Sequence, residues 1–327
     1  VRIAVTGSIA TDHLMVFPGR FADHLLPDQL AHLSLSFLVD GLEVRRGGVA
    51  ANIAFGLGGL GLAPLLIGAV GTDFAEYEVW LKEHGVDTGG VRVSDDRQTA
   101  RFMCITDQDA NQIAAFHTGA MAEAADIDVR GLLTGGERPG LVLVSPDDPS
   151  AMLRHTAGCR ELGIPFAADP SQQLARLDGG QVRALVTGAT WLFTNEYEAA
   201  LLRERTGWSR AEVLGAVGSW VTTLGAGGVR VESAGQEPLL VPAVPVAETA
   251  DPTGVGDAFR AGFLAALGHG VDARSAARLG CALASVVLGA VGSQTYEVDP
   301  VRLTRVVEGA YGAGAARPLA AVLGGRS

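Results

Sequence analysis

Short continuous apolar runs recur along the chain and set its expected architecture. Residues 3–5, 65–69, 141–144, 166–168, 191–193 and 221–224 are rich in Val, Ile, Leu and Phe. Runs of that length without polar alternation predict strands buried on both faces, as in a parallel sheet. Between them, segments 74–84, 149–162, 196–206 and 209–219 place apolar residues at helical spacing. Segments 254–267, 272–288 and 300–311 read as three consecutive helices, and the nearly all-apolar stretch 281–292 predicts an inner helix. Strands alternating with helices predict an α/β fold whose central, mostly parallel sheet is flanked by helices on both faces.

Two segments break this pattern. Residues 33–39 and 100–116 alternate apolar with polar, and a turn at 107–111 lets 101–106 pair with 112–116 as a hairpin. Half-polar strands inserted into an α/β chain predict a small separate β-sheet, placed as a lid over the end of the main one. The expectation is one domain over 1–327, with lid strands inserted at about 33–46 and 97–117. The Gly/Ala-rich tail after Tyr311 is expected to be loosely ordered. Residues 49–72 carry no charge and are long enough to span a bilayer, but Pro64 and six glycines interrupt them. A Gly-ended helix, a turn and a buried strand account for them better, so no membrane span is expected.

Composition narrows the function. The 327 residues are 48% hydrophobic and 19% charged, which marks a folded globular protein. With 25 Lys+Arg against 36 Asp+Glu, the net charge of −11 opposes binding to phosphate polymers, so no nucleic-acid partner is expected. Cys104, Cys159 and Cys281 are too few and scattered for a disulfide framework; as reduced, buried thiols they point to the cytoplasm. The apolar run at residues 1–8 is too short for a signal peptide.

The strongest chemical signal is Asp251-Pro252-Thr253-Gly254-Val255-Gly256-Asp257-Ala258-Phe259, opening a predicted helix. Glycines there let backbone amides approach a ligand, and the helix N-terminus adds its positive end, so Gly254, Val255 and Gly256 form a candidate anion hole. Asp257, in the first turn, is a candidate proton acceptor; its plain alternative is an acidic helix start. Thr223-Leu224-Gly225-Ala226-Gly227-Gly228 follows a strand and leaves backbone free for phosphates, although taken alone a hairpin turn between 221–224 and 229–232 explains it better. Arg45-Arg46-Gly47-Gly48 leads to Asn52, which can both donate to and accept from vicinal hydroxyls, or simply cap a helix. Asp12 lies just past the first strand, where a carboxylate can hydrogen-bond a polyol or serve a turn. Asn195 and Glu198 sit at another strand end, as organisers of hydrated Mg²⁺ or as an ordinary helix start. Gly56-Leu57-Gly58-Gly59-Leu60-Gly61 spells the dinucleotide fingerprint but closes a helix instead of opening one, and is rejected. The sequence contains no P-loop, no nucleophile elbow and no histidine spacing suited to a metal.

Taken together, these motifs have a specific order. Gly47-Gly48-Val49-Ala50-Ala51-Asn52-Ile53-Ala54, with Gly61 and Gly71 downstream, resembles the first signature of the ribokinase-like (PfkB) carbohydrate kinases. The 251–259 segment resembles their second signature, usually Asp-Thr-Thr-Gly-Ala-Gly-Asp-Ala-Phe, and Asn195-x-x-Glu198 their NxxE motif. The resemblance spans nearly the whole chain; Pro252 and Val255 depart from the common form without removing an amide of the anion hole. Within that family, segments 6–14, 34–40, 46–54 and 169–174 resemble the actinobacterial adenosine kinases. The resemblance implies transfer of the ATP γ-phosphoryl group to the 5′-hydroxyl of adenosine, with Asp257 as base. It implies ribose contacts from Asp12, Gly48 and Asn52, and further polar contacts from Ser8, Ser36, Gln172 and Gln173. Phe102 and Phe116 would stack on adenine, and ATP would lie along Asn195, Thr223–Gly228 and Gly256. Mg²⁺ would accompany ATP, with Asn195 and Glu198 reaching it through water and a monovalent cation such as K⁺ as a further candidate. Apolar lid positions such as Phe37, Val39 and Met103 would seat a second copy in a homodimer. The rival readings are a sugar kinase for ribose, fructose or a keto-deoxy acid, a non-catalytic sensor on the same fold and, least favoured, a dehydrogenase.

Overall fold

The computed structural model describes residues 1–24, 35–247 and 249–324. Its strands are β1 (Ile3–Thr6), β2 (Ala10–Val16), β3 (Gly41–Gly47), β4 (Leu65–Val70), β5 (Asp87–Val93), β6 (Ala100–Thr106), β7 (Gln112–His117), β8 (Leu141–Val144), β9 (Phe166–Ala168), β10 (Trp191–Asn195), β11 (Ser219–Thr223), β12 (Val229–Glu232) and β13 (Leu239–Val241). Its α-helices are α1 (Val49–Gly59), α2 (Ala75–Glu83), α3 (Val129–Thr134), α4 (Pro149–Leu162), α5 (Gly179–Val186), α6 (Glu196–Thr206), α7 (Arg210–Ala216), α8 (Val255–Gly268), α9 (Ala273–Leu288), α10 (Pro300–Tyr311) and α11 (Ala320–Leu323).

Among the described residues, nine strands form the main sheet in the order β13-β12-β11-β10-β9-β8-β1-β4-β5. The strands from β11 through β5 are parallel, and β12 and β13 add an antiparallel edge. Period-two alternation splits the core: Ile3 and Val5 pack against α1, α8 and α9, while Ala4 belongs to the cluster under α4, α5 and α6. The strand order reverses at β1, which neighbours both β4 and β8. Such a switch point opens a crevice at the carboxyl ends of parallel strands.

Local signals set several boundaries. Asp148 caps α4, Pro149 occupies its first turn and Gly163 ends it in the left-handed region. Asn195 and Glu198 form a reciprocal capping box on α6, which Gly207 closes. Both helices therefore span the expected residues. The helix expected at 209–219 is shorter, because the chain from 217 turns into β11. Likewise the apolar stretch 281–292 is helical only to Leu288, and the polar segment that follows turns back toward the site. Residues 312–324 of the tail are ordered, with Leu319, Val322 and Leu323 buried in the core.

The lid is a four-stranded sheet in the order β3-β2-β6-β7. The 100–116 hairpin is present as expected. The strand expected at 33–39 is not: residues 33 and 34 lie outside the described residues, and 35–39 are irregular. Phe37 packs instead among Phe17, Phe21 and His24, which accounts for its apolar character without a ladder. Its place is taken by β2, for which the sequence pattern predicted no strand, and which pairs with both β3 and β6. The register puts Asp12, Phe102 and Phe116 on one face and Leu42, Val44, Met103 and Ile113 on the other.

Candidate active site

A cavity of about 520 Å³ opens at the switch point, between the lid and the ends of β1, β8 and β9. Every nucleoside contact expected from the sequence lines it except Ser36, which is exposed on the irregular segment before β3. Ala10, Val49, Met121, Pro146, Arg176 and Thr253 also line it and were not foreseen. They are brought in by strand ends and lid register, which local patterns do not reveal.

One wall is the start of α1. Ser8 Oγ accepts from Val49 N at 3.1 Å, fixing that helix to the end of β1. Gly48 precedes it at φ +93°, and a Cβ there would lie 2.6 Å from Ser8 O and Ala10 N. The floor is the start of α8. Gly254 stands at φ +78°, and a Cβ would lie 2.6 Å from Ser293 Cβ. The amide of Ala258 donates to Gly254 O at 2.9 Å; ahead of it, Val255 N makes a long contact of 3.4 Å to Pro252 O, and the amides of Gly256 and Asp257 precede the first bond of the helix ladder.

Asp257 projects from that first turn. Asn52 Nδ2 donates to its Oδ2 at 2.8 Å. Burial pushes the carboxyl up to about 7, against the opposing pull of the Asn52 hydrogen bond and the Arg260 guanidinium. A carboxyl poised there holds and releases a proton near neutral pH, as a general base requires. Arg260, one turn on, donates to Gly256 O at 3.0 Å and pairs with Asp169 at 2.5 and 2.7 Å. Burial raises Asp169 to about 6, and Arg260 works against that rise. This buried ion pair ties α8 to the end of β9 and was not foreseen, although Arg260 is the one charge after Asp257 in an otherwise apolar helix. Beyond Asp169, Ser171 adopts φ +42°. Such strain in a non-glycine residue gathers at functional sites, and here it precedes Gln172 and Gln173.

Asp12 enters from β2, directly opposite Arg45 on β3. Burial pushes it up to about 6, with Arg45 opposing. Arg45 also reaches Asp251 Oδ2 at 3.2 Å, and Arg46 lies 4.5 Å over the Trp80 ring, so neither is a free surface charge. Phe102 and Phe116 are register partners on β6 and β7 and share one apolar face.

Asn195 and Thr223 are register partners at the ends of β10 and β11. The glycines at 225–228 form the turn of the β11–β12 hairpin, as their plain reading had it, and remain exposed up to Gly227. Asn195, Thr223, Leu224, Gly225, Ala226, Gly227 and Gly228 lie outside the lidded cavity, farther along the same sheet edge. The Glu198 carboxylate accepts from Asn195 N at 2.7 Å and Ser171 Oγ at 3.2 Å, leaving it suited to water-mediated contacts instead of direct ligation. Among the described residues no group of three or more His, Cys, Asp or Glu is arranged to hold a metal, and no helix is long and apolar enough to cross a membrane.

A lidded cavity at the switch point of a parallel sheet, with an acid on a glycine-opened helix, defines the ribokinase-like class. Residues 10–299 match the pfkB family of carbohydrate kinases, and the chain belongs to that family. A nucleoside kinase of Methanothermobacter thermautotrophicus is 30% identical over 274 residues, covering 82% of this chain and 86% of that protein. The Burkholderia thailandensis nucleoside kinase in complex with inosine superposes with a TM-score of 0.83 at 34% identity, over 94% of this chain and 98% of the other. The Methanocaldococcus jannaschii nucleoside kinase gives a TM-score of 0.83 at 25% identity, again over 94% and 98%.

Proposed function

We propose that the protein is an ATP-dependent nucleoside kinase that phosphorylates the 5′-hydroxyl of adenosine, giving AMP and ADP. The observation that carries this reading is one cavity lined by both the paired aromatics Phe102 and Phe116 and the acid–amide pair Asp257–Asn52. A purine needs a flat apolar platform, and a bare sugar does not. Similarity to nucleoside kinases, including one bound to inosine, supports the same class.

In this reading Asp12, Gly48 and Asn52 hold the ribose hydroxyls, while Ser8, Gln172 and Gln173 supply polar contacts. Asp257 accepts the 5′-hydroxyl proton as the oxygen attacks the γ-phosphorus. The Gly254, Val255 and Gly256 backbone stabilises negative charge on the transferring group. ATP lies along Asn195, Gly256 and the 223–228 turn. Mg²⁺ neutralises the phosphates when bound, with Asn195 and Glu198 meeting its water shell. The exposed outer face of the lid, with Leu42, Val44 and Ile113, is the surface proposed for a homodimer. The expected Met103 lies half-buried on that same face, while Phe37 packs in the aromatic cluster with Phe17 and Phe21.

The test is ADP release with ATP and Mg²⁺, run in parallel on adenosine, inosine, ribose and fructose. Turnover with adenosine at micromolar concentration and little with the sugars is expected; turnover with a sugar alone overturns the nucleoside reading. Phe116→Ala is expected to weaken adenosine binding by about 1–3 kcal/mol, the range of one base–aromatic stack, and to leave ATP binding near wild type. Equal losses for both ligands in calorimetry would reject the stacking role.

A further inference from the structure

Behind Asp257 lies a buried chain of hydrogen bonds whose direction has a single solution. Trp80 Nε1 can only donate, and it donates to Gln294 Oε1 at 3.2 Å. Gln294 therefore turns its amide nitrogen the other way, donating to Asn52 Oδ1 at 2.9 Å and to the Tyr77 hydroxyl at 2.5 Å. Tyr77 in turn donates to Gly47 O, an acceptor only, at 2.8 Å. Ser293 Oγ has a single proton to share between Asn52 Oδ1 at 3.0 Å and Arg46 O at 3.3 Å. With its oxygen held by the Gln294 amide, Asn52 has its nitrogen left for Asp257. A flipped Asn52 would set its carbonyl against the carboxylate and its N–H groups against those of Gln294. Gln294 is 4% exposed, so water does not readily replace these bonds.

We propose that Gln294 is a positioning residue for phosphoryl transfer, acting through Asn52 to keep an N–H donor aimed at the Asp257 carboxylate. The inference rests on Asp257 as the base. Gln294 does not line the cavity; its direct path to the Asp257 carboxylate runs through Asn52. The neighbouring residues share this backing role: Gly292 N donates to Asp251 Oδ2 at 3.1 Å, and Ser293 packs against Gly254. The charged groups facing Asp257 are Arg260 on its own helix, Asp169 at the end of β9 and Asp12 on β2. None of them is changed by substituting Gln294 or Trp80.

The experiment compares wild type, Gln294→Leu and Trp80→Phe. The Asp257 carboxyl carbon is followed by ¹³C NMR in ligand-free protein, assigned by its absence in Asp257→Asn, and kcat/KM for adenosine is measured from pH 5.5 to 9. In Gln294→Leu the midpoint is expected to rise by about one pH unit, the equivalent of one hydrogen bond to a charged acceptor. Activity should then fall roughly tenfold at pH 6.5 and recover above pH 8.5. Trp80→Phe, which frees the Gln294 amide to rotate, should move the midpoint the same way. If Gln294→Leu does not fold, Trp80→Phe decides alone. A wild-type midpoint near 7 that neither folded variant moves overturns the inference, as does a loss of activity equal at every pH, which is what a merely structural role produces. A wild-type Asp257 that does not titrate between pH 6 and 8 overturns the base assignment itself, and the inference with it.

Discussion

Asp257→Asn is expected to lower kcat by roughly 10²–10⁴-fold, the usual contribution of a general base. The substitution keeps shape and leaves Asn52 an oxygen to donate to, so adenosine affinity should change much less than turnover. Wild-type kcat should fall as pH drops through about 7, because the protonated carboxyl can no longer accept the hydroxyl proton. The same residue makes a stability prediction of defined sign. Its carboxyl titrates at about 7 in the folded protein against an ordinary value of 3.8. The folded state therefore holds that proton more tightly, and the stability so gained is complete below about pH 4 and lost as pH rises through 7. Asp257→Asn should accordingly raise Tm relative to wild type at pH 8 more than at pH 5. Near-wild-type turnover, or a Tm difference that grows toward acid pH, would reject this account of the site.

Gly254→Ala is expected to lower kcat by roughly 10²–10³-fold, comparable to loss of one donor from an oxyanion hole. At φ +78° an L-residue already costs about 1–2 kcal/mol. The added Cβ would also fall 2.6 Å from Ser293 Cβ, which is backbone-proximal and cannot swing away. Either the turn or the 292–294 segment must shift, and the amides at the start of α8 shift with it. Since transition-state charge is stabilised only by donors already in place, the loss should fall on kcat, with the KM for adenosine nearly unchanged. Full steady-state kinetics for both substrates checks this. A kcat within threefold of wild type would mean that these amides do not stabilise the transferring group.

Much of the molecule was legible without coordinates, for reasons that are local. A strand buried on both faces must be apolar throughout, so β1, β4, β8, β9 and β10 announce themselves as uninterrupted runs. Helices α4, α6 and α10 carry their own punctuation in Asp148, Asn195 and Asp299 at their starts, so their bounds follow from capping chemistry. Asp257 was recognisable as a candidate because its setting depends on neighbours in sequence: two glycines and a helix start.

What escaped depends on partners far away along the chain. Strand β2 reads Ala-Thr-Asp-His-Leu-Met-Val, with no clean alternation, and is a strand because β3 and β6 flank it. Residues 35–39 alternate well and form none, because Phe37 finds an aromatic cluster instead. Asn52 meets Asp257 across 205 positions and Gln294 across 242. The sequence by itself determined the buried strands, the capped helices and the acid at the glycine-opened helix, since each rests on periodicity or on contacts within a turn. Only the tertiary structure decided which lid face meets the cavity, how Asp169 holds Arg260 and which way the Asn52 amide points. Those outcomes depend on strand register and on the pairing of buried donors with acceptors, and neither leaves a local trace in the order of residues.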